Sequence, residues 1–180
     1  MTVIEFALVA PMFLLLVVGC LDLGQMVYAV GVLDGAVEKA ARDSTLETGD
    51  TTAADAQVED VILKVLPGAD VTSTRRSYFD FSDIARPERW NDGNNDGTCS
   101  EGENYVDENN NGDWDSDVGS TDNGGANDVV MYTVTVRYDP IFALPLVPID
   151  WSRREITSTA VRRNQPFATQ DGLGSQSGTC

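Results

Sequence analysis

Histidine is absent from the 180 residues, which removes the commonest transition-metal ligand and the usual general base at neutral pH. Basic residues are scarce: 12 Lys and Arg stand against 29 Asp and Glu, a net charge of −17. Nucleic acids and anionic membrane surfaces are bound through clustered Lys and Arg, so both are poor partners for such a chain, and cations are better ones. Cysteine is limited to three positions. Cys20 lies in an apolar run and reads as a small packing residue. Cys99 and Cys180 remain, either as a disulfide in a compartment outside the cytoplasm or as two free thiols. No catalytic residue is identified and an enzyme is not expected. Adjacent acids such as Asp113 and Asp115 in a Gly-rich stretch suit metal binding better than the rigid, pKa-split pair of an acid hydrolase.

Charge is also missing from Phe6 to Leu21, in the opening text "MTVIEFALVAPMFLLLVVGCLDLG". A secretory signal needs a basic n-region, and "MTVIE" has none. The sixteen uncharged residues rise to about 24 Å as a helix, short of the roughly 30 Å hydrocarbon core of a bilayer. Continuation through Asp22 into "LGQMVYAVGVL" reaches that width with a carboxylate inside it, which costs several kcal/mol unless it is paired. Glu5, just ahead of the run, can neutralise an α-ammonium, its own or that of a neighbouring subunit, where apolar helices pack without water. The alternative is an acid flanking the membrane interface.

Glu5, Phe6, Ala7, Leu8, Val9, Pro11, Gly19, Asp22 and Gly24 follow one another in the order "EFALV.P", apolar run, "G..D.G". This resembles the N-terminus of the TadE-like pilins of the tight-adherence system, whose mature chains carry Glu at the fifth position. The resemblance implies a chain already trimmed by a prepilin peptidase, with Met1 as its first mature residue. It implies assembly through Met1, Glu5, Phe6 and Pro11, with other pilin subunits and the inner-membrane pilus machinery as partners. Residence in the inner membrane would precede export into an extracellular pilus. The text "VRRNQPF" near the C-terminus is similar to the "R.EPF" tail of the same family, with Asn164 and Gln165 where an acid is commoner.

Beyond Gly24 the spacing of Leu23, Met26, Val27, Val30, Leu33, Val37, Ala40 and Ala41 predicts that the helix continues and becomes amphipathic. Pro11 is expected to kink or locally unwind it. A second helix is expected over 52–66, capped by Thr52 with Asp55 and ended by "PG". Strands are expected in "ADVTSTRRSYFDFS", "DVVMYTVTVRYDP" and "REITSTAVRRNQPF", with Val130, Tyr132, Val134, Val136 and Tyr138 on one face of the second. "IFALPLVPIDW" reads as an apolar connection across a sheet edge, and Arg162 and Arg163 as solvated charges. The fold class is α+β: a long N-terminal hydrophobic helix over 1–45, then a head over 46–180 in which a helix packs on a small antiparallel sheet and a long acidic loop over 88–128 is inserted.

That insertion holds twelve acids and one base, Arg89. Uncompensated, such a density repels itself and stays disordered. Asp92, Asn94, Asp96, Gly97, Thr98, Ser100 and Glu103 fit the first, third, fifth, sixth, seventh, ninth and twelfth places of a calcium loop, in which alternate side chains converge and the last Glu closes the shell. Asp107, Asn109, Asn111, Gly112, Asp113 and Asp115 repeat the first six of these places fifteen residues later. Val118 takes the twelfth place, so Asp117 or a neighbouring loop must supply the last carboxylate. One Ca2+ is expected at the first loop and a second at the repeat, in a tandem that resembles dockerin or thrombospondin-type loops. Hard oxygen donors favour calcium over zinc or copper. Trp90, Tyr105 and Trp114 are expected to form a local core beside the loops.

Two functional classes follow: a structural pilin subunit with a calcium-stiffened head, or a membrane-tethered calcium-binding module acting as assembly factor or adhesin.

Overall fold

A computed structural model describes residues 3–46, 50–140 and 153–180. Met1 and the connection at 141–151 lie outside the described residues. The first element is α1, Val3–Ser44, which is helical without interruption through Pro11. The expected unwinding is therefore absent: the helix tolerates one missing N–H bond there because the neighbouring turns keep theirs. Along α1 the surroundings change. Phe6, Leu8, Met12, Phe13 and Leu16 are exposed, whereas Ala29, Leu33, Val37 and Ala40 are buried. The apolar periodicity turns one-sided where the head begins.

The second helix, α2, spans Thr51–Val65, and its N-cap is Asp50, whose carboxylate accepts from the Ala53 N–H. The expected Thr52 cap with Asp55 does not form. Asp55 instead accepts from both terminal guanidinium nitrogens of Arg75, at 2.7 Å each, and from the Tyr132 hydroxyl, at 2.6 Å. A bidentate partner in the head outcompetes a local backbone N–H for that carboxylate.

The head is built on a three-stranded antiparallel sheet of β1 (Asp70–Tyr78), β3 (Val129–Tyr138) and β4 (Arg154–Arg163), with β3 in the middle. Along the chain a short β2 (Asn104–Asp107) comes between β1 and β3 and pairs antiparallel with a C-terminal β5 (Gln176–Thr179) in a separate two-stranded sheet. Neither β2 nor β5 follows from hydrophobic alternation, because both are four-residue strands, β2 with two adjacent apolar residues and β5 with none. On β3, Tyr132, Val134, Val136 and Tyr138 face a core shared with Leu33 and Val37 of α1 and Val58 and Ile62 of α2. The opposite face carries paired threonines, Thr133 with Thr159 and Thr135 with Thr157. Near the Tyr78 end that opposite face is covered: Tyr78, Val118 and Val129 form a second core with Met131 and Val161. Val118 thus anchors the acidic insertion to the sheet.

Three side chains of β4, four residues apart, reach α1. Arg154 pairs with Asp22 at 2.6 Å, Ser158 donates to Asp34 at 2.6 Å, and Arg162 pairs with Glu38. Strand residues at even spacing share one face, which here is the face laid on the helix. Arg163 points the other way, to Asp80 at 2.7 Å and over the Phe81 ring. The two arginines expected to be merely solvated are each ion-paired.

Asn164, just past β4, is buried, and its amide donates to the Asn123 carbonyl at 2.8 Å and the Gly125 carbonyl at 2.9 Å. A carboxylate there would face two acceptors and offer no donor. Asn164→Asp is expected to lose roughly 2–4 kcal/mol of stability, read as a shifted urea midpoint at neutral pH; an unchanged midpoint would show that this amide does not hold the insertion to the sheet.

Candidate functional site

Two regions carry the candidate functional residues: the outer half of α1 and the paired loops of the insertion. Glu5 lies in the first turn of α1, where the helix dipole favours an acid. Glu5, Phe6 and Pro11 are all exposed. From Val3 to Leu21 the helix extends about 28 Å, and α1 as a whole is long and apolar enough to cross a membrane. Asp22 ends that stretch. It is buried to 7% exposure and its Oδ2 accepts from Arg154 of β4. The acid expected to need a partner has one, supplied from a strand 132 residues away in sequence. The bond to Asp22 raises the Arg154 pKa, against desolvation. Cys20, two residues earlier, is exposed and free.

In the first loop the Asp92 carboxylate accepts from the N–H groups of Asp96 at 3.2 Å and Gly97 at 3.0 Å. Gly97 and Asn95 adopt φ of 80° and 60°, the left-handed turns that bring alternate side chains to one side. Asn94 contacts both Asp96 and Ser100 through its amide nitrogen, at 2.9 and 3.1 Å, so the third, fifth and ninth places converge. Bonds from the Thr98 N–H, the Ser100 and Thr98 hydroxyls and Asn94 hold the Asp96 carboxyl down at about 2. Glu103 returns over the loop: Oε1 accepts from Gly93 N at 2.7 Å and Asn94 N at 3.3 Å, and Oε2 from Ser100 N at 3.0 Å.

The second loop has the same construction. Asp107 accepts from Asn111 N at 3.1 Å and Gly112 N at 2.9 Å; Asn110 and Gly112 have φ of 61° and 90°; Asn111 accepts from Asp113 N at 2.7 Å; Asn109 and Asn111 both donate to Asp115. Asp117 is not part of it. Its carboxylate is taken by Arg76 at 2.6 Å and the Tyr78 hydroxyl at 3.1 Å, because two donors of β1 face it where the insertion rejoins the sheet. A residue that the local pattern does not flag stands over the second loop instead: Glu88, whose Oε1 accepts from Glu108 N at 2.7 Å and Asn109 N at 3.3 Å, and whose Oε2 accepts from Asp115 N at 3.1 Å. A signal existed in the sequence, since Glu88 precedes Asp92 by the same four residues that separate Glu103 from Asp107.

The segments between those pairs lie antiparallel, with Trp90 opposite Tyr105. Asn91 N donates to Asn104 O at 2.9 Å and Val106 N to Arg89 O at 2.8 Å. Trp90 meets Trp114 edge-on at 5.3 Å, and Tyr105 donates to the Gly112 carbonyl at 2.6 Å. Glu108 is served by two arginines: burial pushes its carboxyl up, but Arg86 and Arg89 outweigh burial and hold it at about 2. Cys99 and Cys180 are bonded, with their Cα atoms 5.8 Å apart. Among the described residues no three His, Cys, Asp or Glu side chains form a metal cluster by themselves. The loops mix carboxylate, amide, hydroxyl and carbonyl oxygens, a donor set of the hard type that suits calcium rather than zinc.

No curated protein matches the chain, and no solved structure matches it. Residues 1–42, nearly all of α1, match the family model of the TadE-like proteins, a similarity that covers the N-terminal helix and not the head.

Proposed function

We propose that the chain is a structural pilin subunit of a tight-adherence pilus, carried into the filament by α1 and presenting a head whose acidic loops are ordered by calcium. The observation that carries the reading is the division of α1 at Asp22. Before it, apolar side chains are exposed all round the helix; after it, one face is sealed by the head. An exposed apolar half needs lipid first and the helices of neighbouring subunits afterwards, and the second half holds the head clear of that bundle. Glu5 then compensates an N-terminal amine in the packed helices. Turnover is no part of this mechanism. In the head, Asp92, Asn94, Asp96, Ser100 and Glu103 with the Thr98 carbonyl would hold Ca2+, whose role is to neutralise the loop carboxylates and stiffen the surface. Calcium held with the roughly 10⁻⁴–10⁻³ M affinity of extracellular modules would bind weakly in the calcium-poor cytoplasm and fully outside.

The test is to shear filaments from cells and follow the chain in filament and inner-membrane fractions. Wild type is expected in the filaments, and Glu5→Gln is expected to remain in the membrane at normal abundance. Wild type confined to the membrane would replace the filament reading with that of a membrane-tethered assembly factor or adhesin module. Chelation tests the calcium part separately: EGTA is expected to lower the melting temperature of the head, and an unaltered melt with unaltered assembly would discard it.

A further inference from the structure

We propose that the two loops form one closed two-cation unit in which Glu103 closes the loop that begins at Asp92 and Glu88 closes the loop that begins at Asp107. The proposal rests on the reading of the first loop as a calcium site and extends it to a ligand that local spacing leaves out. In a chain of identical repeats each loop would be closed by the first residue of the next repeat. Glu103 does this for the first loop; the second would be closed by Val118, which is buried in the sheet core instead. The structure fills the gap by bringing the first residue of the first repeat round to the second. Glu103 and Glu88 meet equivalent backbone donors, at the second, third and ninth places of the loops they cover, at 2.7, 3.3 and 3.0 Å in one and 2.7, 3.3 and 3.1 Å in the other.

The burial of Glu88 is a separate observation that points to a cation. Its exposure is 0%, and among the described residues no Lys or Arg pairs with its carboxylate. The arginines nearest in sequence are committed to its neighbour: Arg86 and Arg89 both pair with Glu108. Three N–H dipoles share the Glu88 charge but do not cancel it, and a buried carboxylate without a counter-charge is costly. A divalent cation among Asp107, Asn109, Asn111, Asp115 and the Asp113 carbonyl supplies the missing charge beside Glu88. The exchange also couples the sites. Glu88 and Asp92 lie on one of the two antiparallel segments, Glu103 and Asp107 on the other, so each segment carries a ligand for both ions. An ion in either loop fixes the pair of segments that the other ion requires, and binding is cooperative.

Calorimetric titration of the full-length chain in detergent micelles with Ca2+ alone tests this. Wild type is expected to bind two ions, Glu88→Gln one, and Asp117→Asn two. In Glu88→Gln the remaining ion is expected to bind at least about fivefold more weakly, the lower end of ordinary coupling between sites. Asp115→Asn, which leaves Glu88 and its three N–H donors in place, is expected to weaken the second ion most and the first only through their coupling, and serves if Glu88→Gln folds poorly. Two ions retained in Glu88→Gln, or a second ion lost in Asp117→Asn, overturns the assignment of Glu88. A wild type that binds one ion, unaffected by Asp115→Asn, overturns the second site and leaves the first loop's calcium intact. A wild type that binds none overturns the calcium reading itself.

Discussion

Replacing Arg154 by Met is expected to destabilise the protein by about 2–4 kcal/mol, the cost of leaving one member of a buried ion pair alone. Arg154 is a quarter exposed and Asp22 only 9% by side chain, so the burden falls on the carboxylate, which sits on α1 where the apolar stretch meets the head. Met keeps most of the arginine stem, so packing is largely retained and the charge is what disappears. The companion variant is Asp22→Asn with Arg154→Met, in which no charge is left unpaired; most of the lost stability is expected to return. A urea-unfolding double-mutant cycle in detergent isolates the coupling. If the single and double variants are equally unstable, the pair does not seat the head on the helix.

The second large effect is expected from the disulfide. Cys99 and Cys180 are 81 residues apart in sequence, and closing a loop of that length removes chain entropy from the unfolded state worth about 4.5 kcal/mol in the simplest treatment. Replacing both by Ser is expected to lower stability by several kcal/mol, somewhat below that ceiling. The change should also be local. Cys180 N donates to the Glu103 carbonyl at 3.0 Å, and β5 pairs with β2 from Asn104 to Asp107, so the bond ties the C-terminus to the strand between the two loops. Faster hydrogen exchange across Tyr105–Asp107 in the double Ser variant, with β3 unchanged, is the expected pattern. Equal protection in both proteins would mean that strand pairing alone holds the tail. Gly178 lies against the Tyr105 ring with no room for a Cβ, which makes that pairing close even without the bond.

Much of this protein is fixed by short-range chemistry and is therefore visible in its sequence. The exposed half of α1 follows from a run without charge, its buried half from apolar spacing of three and four, and β3 from strict alternation, since each is a property of neighbours along one element. The loops are legible for the same reason: Asp92 bonds Asp96 and Gly97, Asp107 bonds Asn111 and Gly112, and every partner lies within five residues. What the tertiary structure alone decided is which distant charge meets which. Asp22 finds Arg154, Asp55 leaves a helix cap for Arg75, Asp117 turns to Arg76, and Glu88 arrives over a loop that begins nineteen residues after it. A carboxylate interacts with whatever donor the fold brings near, so its partner is set by the packing of strands and helices, and spacing along the chain names only the candidates.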